Sequence, residues 1–170
     1  EILMRKREET VCLVCPRGLE RVTIEVLPSG HELAVVPTIG SAVPIYTGAT
    51  GRVFMAHLQE VECARIIKQT NLHPLTSTAV SNPAVYMKEL EQVRQAGYAQ
   101  TTGEVTIHSC AIAAPVFNSA GEIIAAISLR GPETRITNQR GAELAPAVVQ
   151  TAQRISEELG YGQSKTAAAG

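Results

Sequence analysis

The apolar run Thr10–Cys15 and the mixed apolar and polar run Leu19–Leu27 are β-like and predict two strands. Pro16-Arg17-Gly18 separates them, and Pro28-Ser29-Gly30 separates the second from a third β-like run, Glu32–Val36. Both separators are turn chemistry, and short connections of this kind favour an antiparallel meander. From Ala49 the pattern changes: Val53, Phe54 and Leu58 recur at helical spacing, and Cys63, Ile66 and Ile67 mark one face of a second helix over Glu60–Gln69. Asn71–Ser81 reads as a surface loop. Asn82 followed by Pro83 caps and starts a third helix, which runs to Ala96 with Met87, Leu90 and Val93 inward and Gly97 as its stop. Two apolar strands, Cys110–Val116 and Ile124–Pro132, form the next hairpin. Thr137 then caps a long last helix, with Leu144, Val148, Ala152, Ile155 and Leu159 as its inner face and Pro146 expected to kink it. The element order βββ–α–α–α–β–ββ–α, joined mostly by hairpins, predicts an α+β domain: an antiparallel sheet with helices packed on it.

Composition sharpens that picture in three ways. The chain of 170 residues is 45% hydrophobic with only 4% aromatics and no Trp, so its core must be aliphatic. Lys and Arg (15) nearly balance Asp and Glu (16), and no basic stripe offers to neutralise a phosphate backbone, which argues against DNA binding by these residues alone. The apolar runs are shorter than a membrane span and nothing reads as a signal peptide, so the expectation is a soluble, cytoplasmic protein with no membrane partner. Four cysteines at 12, 15, 63 and 110 do not make a disulfide framework.

Few residues carry candidate chemistry. On a strand, Ile124, Ala126, Ser128 and Arg130 share one face, so a hydroxyl and a guanidinium point the same way. If that face lines a cavity, Arg130 is suited to grip a carboxylate; the alternative is a strand-end cation in solvent. Gly48-Ala49-Thr50-Gly51 opens a helix and leaves backbone N–H groups accessible to an anion, although small residues there also serve tight packing. Cys110 and His108, two apart, invite a thiolate–imidazole reading, but an apolar strand suits a buried thiol better, with the edge of a ligand cavity as an intermediate possibility. Cys12 and Cys15, three apart on a strand, should diverge, and the four histidines lack zinc spacing, so no metal is expected. Thr101, Thr102 and Glu104 in the preceding loop either orient a ligand or are simply solvated.

The ordered set Pro44-Ile-Tyr-Thr-Gly-Ala-Thr-Gly-Arg52, Asn71-Leu-His-Pro-Leu-Thr, Gly97-Tyr98, Cys110-Ala-Ile-Ala-Ala-Pro, Ser128-Leu-Arg-Gly-Pro132, Arg135-Ile-Thr137 and Glu-Glu-Leu-Gly-Tyr161 resembles the effector-binding domain of the IclR family of bacterial transcription regulators. The resemblance covers about Glu9 to Tyr161. It implies a GAF-like or profilin-like sensor domain with a curved antiparallel sheet, no cofactor, and a small organic-acid effector held beneath the helix after the Gly-Ala segment. Carried over residue by residue, the implied contacts are Ala49, Thr50, Thr101, Cys110, Ser128 and Arg130, with Tyr46 adding a hydroxyl and Val35 and Val43 an apolar wall. The resemblance further implies that residues 1–9 end a linker helix, that 10–161 form the effector-binding domain, that 162–170 are a flexible tail, and that a winged helix-turn-helix DNA-binding domain lies outside this chain. Self-association as a dimer or tetramer is implied too. The departures point one way: an acidic family loop here reads Thr101-Thr102-Gly103-Glu104, the segment before Cys110 is one residue short, and Arg130 stands where many members have a second Ser. Losing acid and gaining a cation shifts the expected ligand towards anions. The competing readings are a thiol-dependent enzyme using Cys110 and His108, and a dimerisation module with no ligand.

Overall fold

The computed structural model describes residues 8–162, so most of the expected linker helix (1–9) and tail (162–170) lies outside the described residues. Strands β1 (Thr10–Arg17) and β2 (Glu20–Leu27) form a hairpin whose tight turn needs the positive φ of Gly18 (62°). Strand β3 (Ala42–Pro44) adds to the outer edge of β2. On the other side of β1 come β6 (Ile123–Pro132), β5 (Ser109–Phe117) and β4 (Ala99–Thr102), which gives one curled antiparallel sheet of order β3-β2-β1-β6-β5-β4. The α+β reading of the sequence is thus the observed architecture.

The two faces of the sheet hold separate aliphatic cores. Cys12, Val14, Ala99, Ala113 and Ala126 face helices α1 (Gly48–His57), α2 (Glu60–Thr70) and α3 (Pro83–Ala96). Val11, Ile112, Ala114, Ile127 and Leu129 face α4 (Asn138–Glu158). Alanines on the first face let α1 lie close to the sheet, and this helix is buried from Gly48 to Ala56 rather than along one stripe. Cys12 and Cys15 do diverge, one into each core, and all four cysteines are free thiols.

The helix ends follow local chemistry. Asn82 Oδ1 accepts from the N–H groups of Ala84 and Val85, Gly97 stops α3 at φ 76°, and Thr137 accepts from Arg140 N–H. The last helix differs from expectation at its far end. It is continuous through Pro146, but Ser156 is buried where Ile155 is only partly so, and Leu159 lies outside the helix, 46% exposed. Ser156 earns its inward place by donating to Ala152 O and accepting from Phe117 N–H, which ties the helix to β5.

The third strand is not over Glu32–Val36. That segment is bent and irregular, with Leu33 and Val36 exposed, and the strand is Ala42–Pro44 instead. The edge of β2 explains the difference. Glu20–Val22 pair with Ala42–Pro44, and Thr23 exchanges backbone hydrogen bonds with Gly40 and Ser41, so the first half of this edge is taken by the later segment. Pro28 and Pro37, lacking N–H donors, bracket the misread run.

Candidate functional site

A cleft opens where the start of α1 meets β4, the 103–109 loop and the sheet face carrying Arg130, with a cavity volume of about 10 Å³, room for one water molecule. Gly48 shapes it. Its φ of 63° is left-handed, and a β-carbon there would stand 2.8 Å from Val105 Cγ2 and 3.7 Å from both Arg21 Nη2 and Thr101 Oγ1. Three side chains from three segments therefore converge on a single point at the helix N-terminus, where the helix dipole favours negative charge and the Gly48 N–H already meets Glu104.

Strand register accounts for the residues on the sheet floor. Cys12 lies opposite Ser128, Thr10 opposite Arg130, and Ala111 opposite both Arg130 and Thr101, so these side chains share the α1 face. Cys110 lies opposite Gly131 and Thr102, which puts its side chain on the α4 face; there its Sγ accepts from Gln100 Nε2 at 3.7 Å. The thiol reaches the cleft only at its margin. His108 is not beside it. His108 adopts φ 62° in a turn, so the strand alternation that would align the two does not hold, and its Nδ1 meets Glu133 Oε1 at 2.7 Å. Burial raises the Cys110 thiol above its usual range, against opposing hydrogen bonds from Thr102 and Gln100, so nothing here activates a nucleophile.

Of the residues expected at the site, Ala49, Thr101, Cys110 and Arg130 line the cleft. Ser128 is fully buried below it and accepts from Arg130 Nε at 3.3 Å. Thr50 is fully buried too, and its Oγ1 has no hydrogen-bond partner. Tyr46 turns away, donating its hydroxyl to His73 O at 2.9 Å. Val35 and Val43 do not line the cleft: Val43 belongs to the edge strand opposite Arg21, and Val35 follows the misread run into the irregular connection.

Arg21 is the residue the sequence did not disclose. It stands on β2, its side chain is 2% exposed, and its Nε and Nη2 donate to Thr47 O at 3.2 and 3.0 Å. Burial, then the neighbouring Arg130 charge, lowers its pKa to about 9, with Tyr86 and Cys12 opposing. Burial likewise lowers Arg130. Both remain cations at neutral pH, and neither meets a carboxylate among the described residues. Arg52 behaves differently. Also buried, it donates to Glu89 and to Glu104 and lies over the Tyr86 ring; burial works against its charge, but Glu104, Tyr86 and Glu89 together hold its pKa above the usual range. Burial raises the Glu104 carboxyl, with Arg52 and the Gly48 N–H pulling the other way.

Larger hollows lie nearby. One of about 280 Å³ lies between α3 and β4 and shares Thr101 and Glu104 with the cleft, so these two residues form the dividing wall. Another, about 400 Å³, lies beside α4 and is flanked by His57, Phe117 and Tyr161. Among the described residues no group of three or more His, Cys, Asp or Glu could hold a metal ion, and no helix is long and apolar enough to cross a membrane.

A curled antiparallel sheet with helices on both faces is an architecture shared with known proteins. Residues 1–157 match the family model described as bacterial transcriptional regulator IclR C-terminal. The HTH-type transcriptional regulator KipR of Bacillus subtilis is 32% identical over 161 residues, covering 95% of this chain and 64% of KipR. The HTH-type transcriptional repressor AllR of Escherichia coli is 32% identical over 158 residues, covering 93% and 58%. Among solved structures, the Thermotoga maritima IclR superposes with a TM-score of 0.89 at 30% identity over 94% of this chain and 65% of that one; the Agobacterium tumefaciens repressor BlcR does so at 0.83 and 27%, over 93% and 62%. The chain belongs to the IclR family of bacterial transcriptional regulators, in the part described as its C-terminal domain. It spans about three-fifths of the length of the curated relatives it matches.

Proposed function

We propose that this chain is the effector-binding and self-association domain of an IclR-type regulator, and that it senses a small organic acid in the cleft at the start of α1. The observation that carries the reading is Arg130: a guanidinium lining the cleft, desolvated, and without an acidic partner among the described residues. A charge held this way is costly until an anion joins it. Ala49, Thr50, Thr101, Ser128 and the margin at Cys110 complete the proposed contacts, and Tyr46, Val35 and Val43 contribute to the surrounding frame rather than to the ligand. Residues 10–161 act as the sensing unit. DNA is contacted by a separate helix-turn-helix domain, as the names of KipR and AllR suggest, and the regulator works in the cytoplasm as a dimer or tetramer.

Room and response have one source. Val105 stands over Gly48, and Glu104 is the wall to the larger hollow, so an acid entering the cleft displaces the 103–109 loop and joins the two spaces. Arg52 links Glu104 to Glu89, which carries that displacement into α3. The test is a thermal-shift screen of the chain against mono- and dicarboxylates, aromatic acids and neutral compounds of matched size. Acids raise the melting temperature, and Arg130→Gln reduces the response at least about tenfold in affinity, the scale of a lost charge-assisted pair. A response to neutral compounds alone, or one unaffected by Arg130→Gln, sinks the reading.

A further inference from the structure

Resting on that reading, we infer that the effector is a dianion, a small acid with two carboxylate groups, whose second anionic end is taken by Arg21. Two observations carry this beyond a single-carboxylate site. First, Arg21 and Arg130 belong to strands on opposite flanks of β1, Arg21 opposite Pro16 and Arg130 opposite Thr10, six residues apart along the strand. Yet both reach the same place. Arg130 lines the cleft, and Arg21 Nη2 comes within 3.7 Å of the point where a Gly48 β-carbon would stand. The two cations thus approach the α1 start from different sides, an arrangement suited to the two ends of one molecule.

Second, the charge is not balanced from within. Arg52, buried like Arg21, has Glu89 and Glu104 to itself. Among the described residues, Arg21 bonds only to the carbonyl and hydroxyl of Thr47, and Arg130 only to the hydroxyl of Ser128. Neutral oxygens satisfy hydrogen-bond geometry without cancelling charge, so one buried and one half-buried positive charge stand near the start of α1. Buried cations of this kind are ordinarily paired. Glu104 lines the cleft but is already engaged by Arg52, and the Cys12 thiol between the two arginine-bearing strands is raised by burial, so neither supplies the missing charge. A ligand with one carboxylate leaves one cation uncompensated; a ligand with two leaves none. A β-carbon on Gly48 would clash with Val105 and meet Arg21 Nη2 at ordinary contact distance, 3.7 Å, so the guanidinium stands close to the helix N-terminus, where the ligand's second end is placed.

The experiment compares each of malonate, succinate and glutarate with its own monoamide, by thermal shift and by calorimetric titration of the 170-residue chain. Diacid and monoamide match in length and shape and differ by one charge. The expected result is that at least one diacid binds ten-fold or more tightly than its monoamide, and that Arg21→Gln brings the two within about three-fold while leaving monoamide affinity nearly unchanged. The wild-type comparison needs no variant, so it decides the matter even where Arg21→Gln fails to fold. Equal binding of diacids and monoamides overturns the dianion inference and leaves the organic-acid reading standing. Binding of neutral diamides with no binding of any acid overturns both. A diacid preference that persists undiminished in a folded Arg21→Gln chain overturns the assignment to Arg21.

Discussion

Glycine positions show how narrowly α1 is fitted to its surroundings. A β-carbon on Gly51 would stand 2.4 Å from the Tyr46 carbonyl carbon and 2.6 Å from Ile45 O, both backbone atoms that cannot swing aside. Gly51→Ala is therefore expected to destabilise the chain by about 2–3 kcal/mol, the upper range for overpacking, and to lower the denaturation midpoint without altering its slope. Gly141 is the contrasting case. Its β-carbon would meet only the amide end of Gln100, a flexible side chain that can rotate away, so Gly141→Ala should cost less than about 1 kcal/mol and gain helix propensity in α4. At the same scale, Arg21 illustrates what sequence leaves open. It alternates with Val22 and Ile24 along β2, and nothing in that pattern says that the cation is 2% exposed while Ile24 is 45% exposed. A register shift between Leu13 and Val14 sets the outcome, because it moves Thr23 and Arg21 into line with the α1 face.

Among the elements, α1 is the one whose chemistry depends on pH. At its last residue, His57 donates Nδ1–H to Val53 O at 2.8 Å and packs edge-on against Phe117, with ring centroids 5.2 Å apart. Burial lowers its pKa below 6.5, and Arg94 adds to this while the Val53 bond opposes it. The unfolded chain thus binds more protons than the folded one between that lowered value and 6.5, so stability is full above the unfolded value and is lost as pH falls through the folded one. Melting temperatures measured from about pH 7.5 down to pH 5 should fall more steeply for the wild-type chain than for His57→Gln; parallel slopes would show that the imidazole is not held neutral. The helices themselves were legible, because Asn82, Gly97 and Thr137 cap by local hydrogen bonds that need no tertiary partner. The short edge strand was not, since Ala42–Pro44 gains its pairing only from the free stretch of β2.

Across the whole molecule, the sheet separates a face that carries the cleft from one that does not. Cleft, Arg52 network and 103–109 loop lie on the α1 side, whereas α4 packs its own aliphatic core on the reverse. Hydrogen exchange with a bound diacid should therefore slow over residues 103–109 and the first turn of α1, with the buried amides of α4 unchanged; protection spread evenly over both faces would contradict a local binding event. Hydrophobic period and capping residues determined the element order and the α+β class by themselves, since helix ends and strand alternation obey rules that act within a few residues. The family resemblance likewise needed only an ordered set of short blocks. Tertiary structure alone decided that Arg21 joins Arg130 at Gly48, that Cys110 faces away, and that Tyr46 is spent on His73. Those outcomes depend on register and on contacts between segments far apart in the chain, and a charge's burial is a property of what surrounds it, which no local pattern encodes.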